Sequence, residues 1–168
     1  MAELTPLERL QPCLLDRLTD DDPKSHQESR NNRVVSLQRY RDAVLRDLRW
    51  LFNANRHLRE ENPVPEENVM EYPQVARSVL NYGTRDLCGL LSSSLPISDL
   101  EQHLTEAIKV FEPRIVPHSL VVKAVMDSDK TSPSVLAFEI RGDLWARPLP
   151  DQLYIKTEID LETGQCSL

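Results

Sequence analysis

The stretch SDLEQHLTEAIKVFEPRIVPHSLVV, Ser98 to Val122, changes its period halfway through. Up to Phe111 the apolar residues Leu100, Leu104, Ala107, Ile108 and Phe111 recur at steps of three and four, the spacing of one buried helix face. Ser98 and Glu101 have the spacing of a capping box, in which each side chain would satisfy the other's free backbone N–H. Pro113 pushes the residue before it out of the helical region, so the helix is expected to stop there. From Leu120 to Met126 the chain is rich in valine and reads as extended. A helical half followed by a strand-forming half is what this switch announces.

Downstream the extended reading continues. Ser134 to Arg141 alternates, with Leu136, Phe138 and Ile140 on one face; Gly142-Asp143 is expected to turn the chain, and Pro148 and Pro150 to bracket a short connection. Tyr154 to Leu161 alternates again. Ile155, Thr157, Ile159 and Leu161 fall on one side and Lys156, Glu158 and Asp160 on the other, as in a half-buried strand with one wet face. Upstream, Leu37, Tyr40, Val44, Leu48, Leu51 and Phe52 line one face of an amphipathic helix, with Ser36 placed to cap it. Asn53 to Tyr72 reads as a loop containing Pro63 and Pro65. Pro73 is expected to open a short helix that buries Val75, Val79 and Leu80 and ends at Gly83. Ser92 to Pro96 is a further loop, and Asp127 to Pro133 a turn region. Helices first and strands last predict an α+β domain, with helices packed on one face of a small antiparallel or mixed β-sheet formed by the C-terminal half. The boundaries expected are a flexible N-terminal arm over residues 1–35 and a single α+β domain over 36–168. Within the arm, Leu14, Leu15 and Leu18 suggest a helical turn or a docking peptide, Asp20-Asp21-Asp22-Pro23 breaks the chain, and Lys24 to Asn32 is too polar to offset its ordering entropy.

The chain of 168 residues carries 28% charged residues and a net charge of −7, which argue against a membrane protein and against a general nucleic-acid binder. Met1 to Pro12 lacks the pattern of a secretory signal. Cys13, Cys88 and Cys166 fit neither a disulfide framework nor a metal knuckle and read as reduced thiols. His26, His57, His103 and His118 stand apart from one another, with His103 expected near the exposed side of its helix. With four glycines there is no phosphate loop, and no serine sits in a nucleophile elbow. Neither a cofactor, a metal nor a small-molecule substrate is expected, and the chain is expected not to be an enzyme. Glu112 and Glu139 could be posed as a glycosidase pair, but many acidic pairs would pass equally well. Glu112-Pro113-Arg114 holds two opposite charges about a residue of fixed φ at the helix-to-strand boundary, which suits either a helix stop with an internal salt bridge or a charged docking joint. Arg39, Arg41, Arg46 and Arg49, less Asp42 and Asp47, give the polar face of the Ser36–Phe52 helix a charge of 4 − 2 = +2, either a solvated face or a surface for an acidic partner.

Several ordered blocks resemble the TssE family of type VI secretion baseplate subunits. They are Leu14 to Asp21, Ser36 to Leu51, Tyr72 to Gly83, Phe111-Glu112-Pro113-Arg114, Gly142 to Ala146 and Thr157 to Leu161. That family belongs to a wider group with contractile-phage baseplate wedge proteins, once labelled lysozyme-like. The resemblance implies a cytoplasmic wedge component, docked at the inner face of the inner-membrane complex and not inserted in the membrane. It implies binding to TssF, TssG and TssK, and a sheet that helps start the sheath of TssB and TssC by offering strands to pair with. Partner-binding residues expected on this basis are Glu112, Pro113 and Arg114, with Arg39, Arg46 and Arg49 on the helix face and Trp145 in the Gly142–Ala146 block. Nothing carries over to residues 24–32 or 57–71. Cys166-Ser167-Leu168 is expected to stay free to pair. Two alternatives go with the resemblance: a peptidoglycan-cleaving, lysozyme-like enzyme, and a soluble regulatory adaptor of the same fold.

Overall fold

The computed structural model describes residues 10, 12–19, 23–24, 35–56, 72–88, 96–125, 135–146 and 150–168. The expectations placed on 1–9, 11, 20–22, 25–34, 57–71, 89–95, 126–134 and 147–149, Pro148 among them, lie outside these residues. In chain order the elements are α1 (Leu14–Leu18), α2 (Leu37–Phe52), α3 (Pro73–Ala76), a 3-10 turn (Val79–Asn81), α4 (Ile97–Phe111), β1 (Val121–Val125), β2 (Val135–Leu144), β3 (Asp151–Asp160) and β4 (Cys166–Ser167). The four strands form one antiparallel sheet in the order β1-β2-β3-β4. The fold is therefore α+β, and the antiparallel form of the sheet is the one realised.

α2 forms where its apolar spacing places it. Ser36 Oγ accepts the free Arg39 N–H at 3.2 Å, and Tyr40, Ala43, Val44, Leu48, Leu51 and Phe52 are buried. α4 buries Leu100, Leu104 and Ile108 against the same core, which the sheet completes with Phe138, Ile140, Ile155 and Ile159. Each such fully buried aliphatic or aromatic side chain contributes about 1.5–3 kcal/mol. Thr157 interrupts this stripe without leaving a polar orphan, because its hydroxyl lies 2.8 Å from Cys166 Sγ and donates to the Ser167 carbonyl at 3.0 Å.

The structure corrects several expectations. Ser98 and Glu101 do not cap α4. The helix starts at Ile97, Ser98 turns to Asp99, and Glu101 instead accepts the Ala124 N–H of β1 at 2.8 Å and pairs with Lys123 at 3.1 Å. Gly142-Asp143 does not turn the chain; both residues lie in β2, opposite Leu153 and Gln152. The glycine is there because the Arg114–Ser119 segment crosses over it. A Cβ at 142 would meet Ile115 Cγ2 at 2.9 Å, while Ile115 bridges to Leu144 and Ser119 Oγ accepts the Asp143 N–H. Val75, Val79 and Leu80 are not buried. The helix begun by Pro73 ends after one turn, and the 3-10 turn holds Val79 81% exposed while Asn81 points inward. Gly83 follows at φ 128°, where the backbone of Ala54 approaches too closely for any side chain. The C-terminal residues are not left free: Cys166-Ser167 form β4, and the Asn53 side chain at the end of α2 both accepts the Cys166 N–H (2.9 Å) and donates to its carbonyl (3.0 Å). His103 is half-buried rather than on the open side of α4, with its Nδ1 shielded from solvent.

Candidate functional site

Pro113 fixes the geometry of the helix end. Its steric demand holds Glu112, the residue that caps the C-terminal end of α4, at φ −122°, ψ 76°, and the Glu112 side chain is buried there. The carboxylate is 3% exposed. It accepts the Arg114 backbone N–H at 3.1 Å, Arg114 Nε at 2.7 Å and Arg114 Nη2 at 2.5 Å. Arg114 Nη2 also donates to Asp47 Oδ2 of α2 at 2.6 Å. From Asp47 the contacts run on. Arg46 reaches Asp47 Oδ1 at 2.9 Å and, through Nη1, Asp16 Oδ1 of α1 at 2.6 Å. Five side chains thus alternate in sign, Glu112–Arg114–Asp47–Arg46–Asp16, and tie α4, α2 and α1 together.

The electrostatics follow from this alternation. Burial works against the Arg114 charge, but Glu112 and Asp47 outweigh it and leave the guanidinium more firmly protonated than a free arginine. Arg46 is held in the same way by Asp16 and Asp47. Burial also opposes ionisation of Asp16, yet the hydrogen bonds from the Cys13 thiol and Arg46 lower its pKa. Tyr82 is pushed up by burial and by the Asp47 and Glu112 carboxylates.

Beside the ion chain lies a cavity of about 470 Å³, bordered by Leu15, Trp50, Tyr82, Phe111, Pro113 and Arg114. Tyr82 and Phe111 meet edge to face at 5.3 Å, and the Arg46 guanidinium stacks 5.2 Å from the Trp50 ring. The Arg114 carbonyl accepts the Trp145 N–H at 2.7 Å, so the segment that carries the charges also starts the pairing with β2.

Of the residues expected at a binding surface, Glu112, Pro113, Arg114 and Arg46 come together here. Arg39 sits on the exposed first turn of α2. Arg49 is exposed near the other end and acts on the Cys166 thiol, which burial raises and Arg49 opposes. Trp145 is 55% exposed just past β2. Sequence reasoning missed Asp47 as the node, because its partner Arg114 is 67 positions away. It also missed Asp16, visible in advance only as one member of the N-terminal block.

The glycosidase pair is not assembled. Every acceptor direction noted for Glu112 is taken by Arg114, whereas Glu139 lies on the opposite, wet face of the sheet beside Tyr154 (2.7 Å), Arg141 (2.7 Å) and Lys156 (3.8 Å). The Tyr154 and Arg141 hydrogen bonds lower the Glu139 pKa, the reverse of what a general acid needs. Among the described residues no group of three or more His, Cys, Asp or Glu side chains could hold a metal ion, and no helix is long and apolar enough to cross a membrane.

Residues 38–149 match the family described as baseplate wedge protein gp25. A crystal structure of a protein assigned as a tail lysozyme, from Geobacter sulfurreducens, is similar at 15% identity with a TM-score of 0.43. The match covers 76% of this chain and 95% of that one. No curated protein matches the chain significantly.

Proposed function

This chain belongs to the family of baseplate wedge protein gp25, and from that premise we propose that it is a structural subunit of a type VI secretion baseplate, joining wedge subunits to the contractile sheath and helping to start sheath assembly. The observation that carries this reading is the state of Glu112. A carboxylate 3% exposed and clasped by Arg114 is built to hold parts in fixed relation, not to exchange a proton with a substrate. The ion chain sets α4, α2 and the start of the β2 pairing in one orientation, which is what a joint between two assemblies requires. TssF, TssG and TssK are the wedge partners proposed, TssB and TssC the sheath partners, and the cytoplasmic face of the inner-membrane complex the place of work. Residues 36–168 form the wedge domain in this reading, and residues 1–35 an arm clipped to it through Asp16.

The test is complementation of a deletion strain with the Arg114→Glu variant. Loss of fluorescent sheath foci and of co-purification with the wedge subunits is expected. Normal foci and secretion would refute the role given to the motif. Release of muropeptides from peptidoglycan by the purified protein, abolished by Glu112→Gln, would replace the structural reading with an enzymatic one.

A further inference from the structure

α1 is seated in a way that wastes most of its apolar surface. Leu14, Leu15 and Leu18 form one stripe of an amphipathic turn, yet Leu14 is 71% and Leu18 74% exposed, and no residue of α1 is buried. Of the three, Leu15 is the one that lines the cavity of about 470 Å³, together with Trp50, Tyr82, Phe111 and Pro113. A helix of five residues has no stability of its own in water, so contacts with the rest of the chain must hold it. The closest of these are polar. Arg46 Nη1 donates to Asp16 Oδ1 at 2.6 Å, the Cys13 thiol donates to Asp16 Oδ2 at 2.9 Å, and Arg46 Nη2 lies 3.8 Å from Cys13 Sγ. Upstream, Leu10 packs on the core and its carbonyl accepts the Val35 N–H at 3.0 Å, which fixes the point from which α1 hangs.

We propose that α1 is a detachable strap across this cavity. It opens as a unit beyond Leu10, with Asp16 as its lock and Leu15 as its inner contact, while α2 and α4 stay folded. Three features separate the strap from the core. The brace between α4 and α2 runs through Glu112, Arg114 and Asp47 and needs nothing from α1. Asp47 keeps both Arg114 and Arg46 when Asp16 leaves. Release also gives up little apolar burial, because α1 buries no residue. Opening uncovers the cavity wall beside Trp50, so access to this apolar surface depends on one ion pair. The strap is a property of these contacts and holds whichever assembly the chain serves.

The test is amide hydrogen exchange of the full chain, followed by NMR at rising urea. The Arg17 N–H bonds to the Cys13 carbonyl and the Thr19 N–H to the Leu15 carbonyl, so their protection reports docking of α1. Both are expected to exchange through an opening that urea below the unfolding transition does not accelerate, whereas the Leu48 and Ile108 amides follow global unfolding. Asp16→Asn is expected to speed exchange at Arg17 and Thr19 about tenfold. It should also shift the Trp50 indole N–H but not that of Trp145, and leave Leu48 and Ile108 unchanged. Leu15→Ala, which keeps the lock, is expected to move the same signals in the same direction. Urea slopes at Arg17 and Thr19 equal to those at Leu48 and Ile108, or equal destabilisation of all four by Asp16→Asn, would make α1 part of the core and overturn the proposal. So would a lack of protection at Arg17 and Thr19 in the unaltered chain, or less than a twofold change in Asp16→Asn. Faster exchange in both variants with no shift at Trp50 would overturn the placing of the strap over the cavity.

Discussion

Replacing Arg114 by methionine removes the one cation that Glu112 touches while keeping an apolar stem of similar reach. Glu112 is then a carboxylate 3% exposed with a single backbone N–H left to it. Removing one partner of a buried ion pair costs about 3–5 kcal/mol. Two features place this site at the low end. The residue-114 N–H bond survives the change, and wild-type Arg114 already holds one guanidinium nitrogen, Nη1, buried without a partner, a desolvation cost that methionine relieves. Asp47 keeps Arg46. The expected loss is therefore about 3 kcal/mol, a fall in Tm of roughly 6–12 °C for a chain of this size. Urea and thermal melts at neutral pH, followed by circular dichroism, measure it. The companion variant Glu112→Leu/Arg114→Met exchanges the whole pair for apolar side chains and should return to within about 1 kcal/mol of wild type. A single variant that loses less than about 1 kcal/mol, or a double variant as unstable as the two single changes added together, would refute the claim that the motif acts as a buried brace.

Acid should loosen the β1 edge. The Ala124 N–H hydrogen bond, helped by Lys123 and opposed by burial, lowers the Glu101 pKa from its ordinary 4.5. A depressed carboxylate contributes stability that is full above the unfolded-state pKa and is lost as pH falls through the folded one. The Ala124 amide should thus shift and lose protection only below about pH 4.5, and a Glu101→Gln variant should show no such step in a two-dimensional NMR titration. The two tight glycines should differ in tolerance. Gly142→Ala presses on the end of the Ile115 side chain and is expected to cost about 1–3 kcal/mol. Gly83→Ala meets backbone at a positive φ and is expected to cost more, with loss of the Asn55–Thr84 bridge. Urea melts of both variants, showing Gly83→Ala to be the milder change, would count against the close-approach reading.

What could be read in advance was whatever is encoded locally. Ser36 caps the helix whose first turn it precedes, and the Tyr154–Leu161 alternation sorts itself between core and water because a strand's period is local too. The expectations that missed did so because their cause was distant. Glu101 has the right spacing for a capping box, but Ala124, 23 positions on, offers it an N–H at the sheet edge. Gly142 looks like a turn residue until Ile115 is seen to cross it. Val79 and Leu80 follow helical spacing, yet the chain spends that stretch on a 3-10 turn with Asn81 inside. At the site, the Glu112-Pro113-Arg114 triplet was visible as a charged joint, with its two readings left open. Its node, Asp47, was not, since no local pattern ties a residue of α2 to one beyond α4. The triplet proves to be an internal ion pair as well as a helix stop.

The edges of the sheet are not left as bare strands. At β1 the Ala124 N–H is taken by Glu101, reaching across from α4. At β3 the Gln152 carbonyl is taken by Arg41, reaching across from α2, and β4 occupies Glu158 and Ile159 farther along. An open rail would let chains stack without limit. Contacts near both ends of β3 leave no uninterrupted edge as long as the strand itself.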